Sequence, residues 1–263
     1  MTFNYAKNIS EVIKVSDDAS SVAILTSSNV TLNLEEGRPY GILRGRMWKR
    51  DAQGRKLVDD SGKPLITDNL QDMGCVQPKW NGSFLTSFNI YGVSVNVQLD
   101  AKIGGVLYSG TWTRATTAGV VAATHAGREE YYLSSVILGE SINKATTGFQ
   151  WEDAYYEDGR KCEMYVNPRY QFGSWDERCV FDASYIKLRE LAIGYSIPSK
   201  ALKNTPFSGM KFSLVGRNLA ILYQNTPKGI DPEAAVSSGN AQGIEYGGMP
   251  PTTTFGFDVK LSF

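Results

Sequence analysis

Three groups of carboxylates lie near one another in the chain: Glu129 beside Glu130, Asp231 with Glu233, and Asp182 with Glu190. Cleaving a glycosidic bond needs two carboxyls held at a fixed separation across it, and closeness in sequence does not provide that. Glu129 and Glu130, if they sit in a strand, point to opposite faces. All three groups are therefore read as solvated loop charges. The sole histidine, His125, lies in Thr124-His-Ala-Gly127 with no cysteine near it, and Cys75, Cys162 and Cys179 lack metal-ligand spacing. Neither a nucleophilic triad nor a zinc site is expected, although Cys162 and Cys179 could pair in an oxidising compartment. No Gly-x-Ser-x-Gly, phosphate loop or Gly-x-Gly-x-x-Gly is present, so no catalytic residue, metal or cofactor is expected.

Aromatic rings are the better candidates for binding. The stretch from Ser109 to Ala183 carries Trp112, Tyr131, Tyr132, Trp151, Tyr155, Tyr156, Tyr165, Tyr170 and Trp175. Flat rings stack on sugar faces or clamp peptide side chains. Trp151, Tyr155, Tyr156 and Trp175 are the expected ligand contacts, with a small core that keeps a long loop folded as the alternative. Tyr40, Trp48 and Tyr91, near expected strand ends, suit a membrane-interface girdle.

The elements that must position these rings are strands. Residues 255–263 place Phe255, Phe257, Val259, Leu261 and Phe263 on one side and Gly256, Asp258, Lys260 and Ser262 on the other. Residues 93–103 repeat the pattern, with Val93, Val95, Val97, Leu99, Ala101 and Ile103 facing away from Ser94, Asn96, Gln98, Asp100 and Lys102. A tilted strand crosses the apolar part of a membrane in about 9–11 residues, but a half-buried strand of a soluble sandwich alternates in the same way. Further strands are expected near 30–34, 41–51, 83–90, 93–108, 185–196, 210–219 and 253–263. The only helical piece expected is Ser199–Lys203, after Pro198.

Lys+Arg and Asp+Glu both number 27 among 263 residues, so no basic field points to nucleic acid. No apolar run reaches the length of a membrane helix, and residues 1–30 lack the pattern of a secretory signal. The connections alternate: Tyr91-Gly92 is a tight turn, 109–183 very long, 197–209 moderate, and 220–252 long. Short turns at one end and long loops at the other are the plan of an outer-membrane barrel. On this reading 109–183 and 220–252 are extracellular loops, the first a folded cap. Asp100, Lys102, Asp258 and Lys260 would line the lumen, and the odd residues of both strands would share the convex side.

Asp182-Ala-Ser-Tyr-Ile-Lys-Leu-Arg189 and the strand that runs on to Pro198 resemble the SusC/RagA family of TonB-linked outer-membrane proteins, of the Bacteroidetes type. The resemblance continues through Gly216-Arg-Asn-Leu219, Gly229-Ile-Asp-Pro-Glu233, Gly243-Ile-Glu245 with Pro250 after it, and the terminal aromatic strand. Gly45, Arg50-Asp-Ala-Gln-Gly54 and Asp100-Ala-Lys-Ile-Gly-Gly105 extend it upstream. It implies an all-β fold: part of an antiparallel transmembrane β-barrel, a curved sheet of about eight to ten strands, taken from a barrel of about 22. It further implies TonB-dependent import of glycans or peptides with a SusD-like lipoprotein, a plug and the TonB complex. No plug, signal or TonB-contacting segment is expected within residues 1–263. Phe263 would act in barrel assembly. The alternatives are a soluble surface-attached carbohydrate-binding β-sandwich and a secreted glycoside hydrolase.

Overall fold

The computed structural model describes residues 1–27, 30–137, 145–167, 170, 176–236, 239, 242–249 and 251–263. The first strands among them are β1 (Thr2–Ala6), β2 (Ser21–Ser27), β3 (Val30–Glu35), β4 (Ile42–Gly45), β5 (Lys56–Leu57) and β6 (Gln71–Cys75). There follow β7 (Trp80–Ile90), β8 (Val93–Ile103), β9 (Val106–Ser109), β10 (Ala154–Tyr155), β11 (Val180–Asp182) and β12 (Tyr185–Ser196). The last are β13 (Gly209–Gln224), β14 (Ile244–Glu245) and β15 (Thr254–Ser262). Two helices, α1 (Gly110–Thr117) and α2 (Arg128–Ile137), lie between β9 and β10.

Six strands form the main sheet in the order β1-β7-β8-β12-β13-β15, every neighbouring pair antiparallel. Its registers align apolar side chains in rows. Phe88, Val95, Ile193, Leu214 and Phe257 face one another across five strands, and Ile90, Val93, Tyr195, Phe212 and Val259 form the next row. Val97 reaches Phe255 through Leu191 and Gly216, so the odd residues of β8 and β15 do share one face. That face is open: Leu214 and Phe257 are each 64% exposed and Phe255 82%.

In β12 the apolar residues are Ile186 and Leu188, then Leu191, Ile193 and Tyr195, so strict alternation slips once. The structure absorbs the slip in a bulge: Leu188 faces Leu99 and Glu190 faces Gln98, leaving Arg189 as the extra residue. Without it, Leu191, Ile193 and Tyr195 would turn to the polar face. At the hairpin between β7 and β8, Tyr91 and Gly92 both have positive φ, 50° and 84°. A two-residue turn of this kind matches the twist of the flanking strands.

The connections sort by end. The Tyr91-Gly92 turn and residues 197–208 close one end of the sheet. Residues 7–79, 104–184 and 225–253 all leave from the other, where Trp80 faces Ile103 and Tyr185 faces both Lys102 and Gln224. The three long connections build a joint cap. One of its sheets is β2-β3-β4-β6, a second is β11-β9-β14, and β5 pairs with β10. Its principal core takes Val30, Leu32, Leu43 and Val76 from the first connection, Tyr108 and Cys179 from the second, and Ile244 from the third.

Several expectations change here. The strands expected near 30–34 and 41–51 exist as β3 and β4 but belong to the cap, so the membrane-type sheet has six described strands. The strand expected over 93–108 breaks at Gly104 and Gly105, whose φ values are 79° and 83°. A Cβ on Gly105 would stand 2.7 Å from the Val76 carbonyl oxygen. Ser199–Leu202 is a single 3₁₀ turn, and the two α-helices among the described residues lie in the stretch read as a loop. The α1 sequence, Gly-Thr-Trp-Thr-Arg-Ala-Thr-Thr, is rich in β-branched residues, so intrinsic propensity does not reveal it. It is held by its cap, the Ser109 hydroxyl accepting the Trp112 N–H at 3.0 Å. Glu129 and Glu130 sit in the first turn of α2, where acidic side chains complement the helix dipole.

Val97 lies on the open apolar face and Gln98 on the opposite one. In a complete barrel, Val97→Asp is expected to cost a few kcal/mol and cut the yield of inserted protein, while Gln98→Asp leaves it near wild type. Heat-modifiable mobility of the two variants measures this, and equal yields would reverse the assignment of faces.

Candidate functional site

On the polar face the registers bring charges together. Asp100 faces Lys187 across β8 and β12, and the bulge turns Arg189 to the same side. Residues 231–233, in the connection after β13, descend onto them. The Lys187 ammonium, on a residue 4% exposed, donates to both oxygens of Asp231 at 2.7 and 2.9 Å and to Glu233 Oε2 at 2.6 Å. Arg189 donates through Nε to Asp100 at 2.7 Å, through Nη2 to Glu233, and through Nη1 to the Asn218 amide oxygen at 3.2 Å. The Tyr185 hydroxyl donates to Glu233, and the Lys187 ammonium stands 5.0 Å from the Tyr185 ring centroid. Asn218 adopts φ 50°, a left-handed conformation that asparagine tolerates.

Burial pushes the Glu233 carboxyl up, but hydrogen bonds from Arg189, Lys187 and Tyr185 outweigh it and hold the group down at about 2. Charges taken out of water are tolerable only when their remaining lone pairs and protons are satisfied, and here they are. The network fastens the third connection to the sheet wall.

This corrects the reading of Asp231 and Glu233 as solvated loop charges. Asp231 is buried, and both neutralise cations supplied by a strand far away in sequence. Asp182 accepts the Ser184 N–H at 2.7 Å, and Glu190 pairs with Arg217 at 2.9 Å. The signal available in sequence was the regular i, i+2 placement of Tyr185, Lys187 and Arg189, mirrored by Asp231 and Glu233; their pairing is not visible without the fold.

Gly243-Ile-Glu245 acts in the same structural way. A Cβ on Gly243, at φ 87°, would fall 2.2 Å from Val76 Cγ1, Ile244 is a fully buried core residue, and Glu245 binds the start of α1. Glu245 accepts the Ser109 hydroxyl at 2.6 Å and the Thr111 hydroxyl.

The loop aromatics form a second, smaller core. Trp151 meets Trp48 edge-on at 4.9 Å and Phe149 at 4.8 Å, and its indole N–H donates to the Gly62 carbonyl at 2.8 Å. Around them lie Val58, Ala154, Cys162, Val166 and the partly buried Tyr156. Tyr155 lies under the Arg55 guanidinium at 4.5 Å, and Tyr156 under Arg160 at 5.4 Å. Trp175 lies outside the described residues. Trp48 belongs to this core and not to a membrane girdle, whereas Tyr91 is exposed at its hairpin turn. Cys162 and Cys179 sit in separate cores, and both are free thiols. Phe263 is exposed, with its ring 5.2 Å from Phe207.

A sheet with one open apolar face, a charged network on the other and a folded cap at one end has the arrangement of a transmembrane β-barrel wall. No family model matches the chain. Over 92 residues it is 33% identical to TonB-dependent receptor P3 of Formosa agariphila, a match covering 33% of this chain and 9% of that receptor. The fold is similar to that in the structure of the RagAB peptide transporter, with TM-score 0.62 and 17% identity over 99% of this chain and 27% of that one. The RagAB peptide importer in its open-open state gives 0.59 at 17% identity, over 99% and 26%. Its closed-closed state gives 0.58 at 16%, over 99% and 27%. The chain thus resembles the C-terminal barrel portion of a SusC/RagA-type TonB-linked receptor. It spans about a quarter of the length of the solved chains it matches, and less of the curated receptor.

Two outcomes are expected from the network. Lys187→Met strands Asp231 as an uncompensated buried carboxylate and should cost about 3–5 kcal/mol, read as a lower melting temperature of the folded barrel. The Glu233 carboxylate, held at about 2 against an ordinary 4.5, stabilises the fold above pH 4.5 and ceases to do so as pH falls towards 2. Melting temperatures of wild type should therefore drop across that window, and those of Glu233→Gln should start lower and drop less.

Proposed function

We propose that this chain is the C-terminal wall of a TonB-dependent importer of the bacterial outer membrane, carrying nutrient oligomers of the peptide or glycan class. The observation that carries the reading is the opposition of the two faces. Phe88, Val95, Ile193, Leu214 and Phe257 make a belt that lipid can solvate, while the ion network and cap face what would be a watery lumen. A soluble carbohydrate-binding sandwich would bury that belt against a second sheet, and no described residue covers Phe255, Phe257 or Leu214. A glycoside hydrolase needs an acid free to give its proton, whereas Asp231 and Glu233 are ion-paired.

The open edges of the sheet support a place for further strands. β1 and β15 each leave one edge unpaired in the main sheet, and unpaired edges do not face lipid. The remaining barrel would pair them, with a plug inside it, the TonB complex acting through that plug, a SusD-like lipoprotein over the cap, and outer-membrane lipid around the belt. The capped end, with the connections 104–184 and 225–253, would face outwards, and the Tyr91-Gly92 turn the periplasm. Tyr155 and Tyr156, on the partly exposed surface of the smaller core, are the ring contacts we carry forward for cargo, with Trp151 holding them in place.

A strain lacking the full-length gene should fail to take up the peptide or oligosaccharide that the gene supports, and the gene should restore uptake only where TonB is active. Uptake that needs neither would refute the import reading. Deleting Phe263 should reduce folded protein in the outer membrane while leaving the cargo affinity of the inserted molecules unchanged. Normal membrane levels by heat-modifiable mobility would show Phe263 to be an ordinary terminal residue.

A further inference from the structure

Beside the ion network, on the polar face, lies a recess of about 390 Å³ lined by Asn4, Asn81, Ser83, Asp100, Arg189 and Glu233. That volume falls within the range of about 300–1,000 Å³ usual for small-ligand sites. The registers account for its polarity. Asn4, Ser83 and Asp100 form one cross-strand row, and Asn81, Lys102 and Tyr185 form the next.

Arg189 lines the recess, and Lys187 and Lys102 stand beside it in the registers, Lys187 opposite Asp100 and Lys102 opposite Asn81 and Tyr185. Each nitrogen of the Arg189 guanidinium is engaged, by Asp100, Glu233 and Asn218. The Lys187 ammonium makes three bonds to two carboxylates, which is its full complement of donors. Lys102 differs: it is half-buried, and its ammonium makes no hydrogen bond or ion pair with any described residue. The side-chain amide of Asn81, directly opposite Lys102, is exposed and likewise has no partner among the described residues. A partly desolvated ammonium with three free donors, next to a free amide, is suited to a carboxylate, because charge-assisted bonds are the stronger class.

We propose that Lys102 and Asn81 form a subsite in the lumen for the carboxylate of the cargo: the free C-terminus of a peptide or the uronate of an acidic oligosaccharide. The proposal rests on the import reading and goes further, because it assigns the charge that the wall selects. Asp100 and Glu233, already neutralised by Arg189 and Lys187, do not compete for Lys102 at contact distance.

The test is calorimetric titration of purified full-length protein with two matched pairs of probes, an oligopeptide with a free or an amidated C-terminus and an oligouronate as acid or methyl ester. Wild type should bind the carboxylate member of one pair about tenfold more tightly, and the pair that shows it identifies the source. Lys102→Met should abolish that preference while the neutral member binds as before, and Lys102→Arg should restore it. Asn81→Asp, a change at an exposed position, should weaken the carboxylate member alone by repulsion. An equal loss for both members in Lys102→Met, or a preference that persists in Lys102→Met and Asn81→Asp, overturns the subsite. Wild-type binding without any carboxylate preference overturns the subsite and leaves the import reading standing, whereas no binding of any probe counts against both.

Discussion

The buried ammonium of Lys187 fixes how the two halves of this molecule meet. It sits on the wall of a sheet whose other face is apolar, with only 4% of its residue surface exposed. An ion in that position is costly unless opposite charges reach it. Asp231 and Glu233 reach it from a connection that begins after β13, so the loop must lie against the wall for the charge to be tolerable. Arg189 adds a second attachment through Glu233, and Asp100 on the neighbouring strand holds that arginine in place. A misplaced loop would leave several of these charges unpaired at once.

The bulge at Arg189 links this network to the membrane-type face. An extra residue in β12 resets the phase of alternation, so that Ile186 and Leu188 before it and Leu191, Ile193 and Tyr195 after it remain on one side. The same extra residue is the arginine that the network on the polar face uses. One backbone irregularity therefore keeps the belt continuous and supplies a cation to the opposite face. The belt is unusual only for a protein in water, where so much uncovered phenylalanine and leucine would be an association hazard. Against lipid it is the expected surface.

The cap has a different energetic basis. Its core draws on three connections separated by long stretches of chain, and Val30, Tyr108 and Ile244 meet although no two belong to the same connection. Small strands and a capped helix are then sufficient, because burial at a shared core supplies what local propensity does not. Gly243 and Glu245 belong to that arrangement, one by leaving room for Val76 and the other by accepting the Ser109 and Thr111 hydroxyls at the start of α1.

The period of two in residues 93–103 and 255–263 determined by itself that these strands have an apolar and a polar face, since side-chain direction in a strand follows from the backbone alone. The Tyr91-Gly92 turn, the inequality of the connections and the Tyr185-Ile-Lys-Leu-Arg189 pattern were legible for the same local reason. Tertiary structure alone decided the rest. Nothing local distinguishes β3 and β4, which belong to the cap, from strands of the wall, and nothing local shows that Trp48 and Trp151 pack together or that α1 is a helix. Whether Asp231 is solvated or buried depended on a lysine 44 residues earlier in the chain. The physical reason is that a strand's facing is set by neighbouring bonds, whereas a charge's partner and a ring's environment are set by which distant segments the fold brings within a few ångströms.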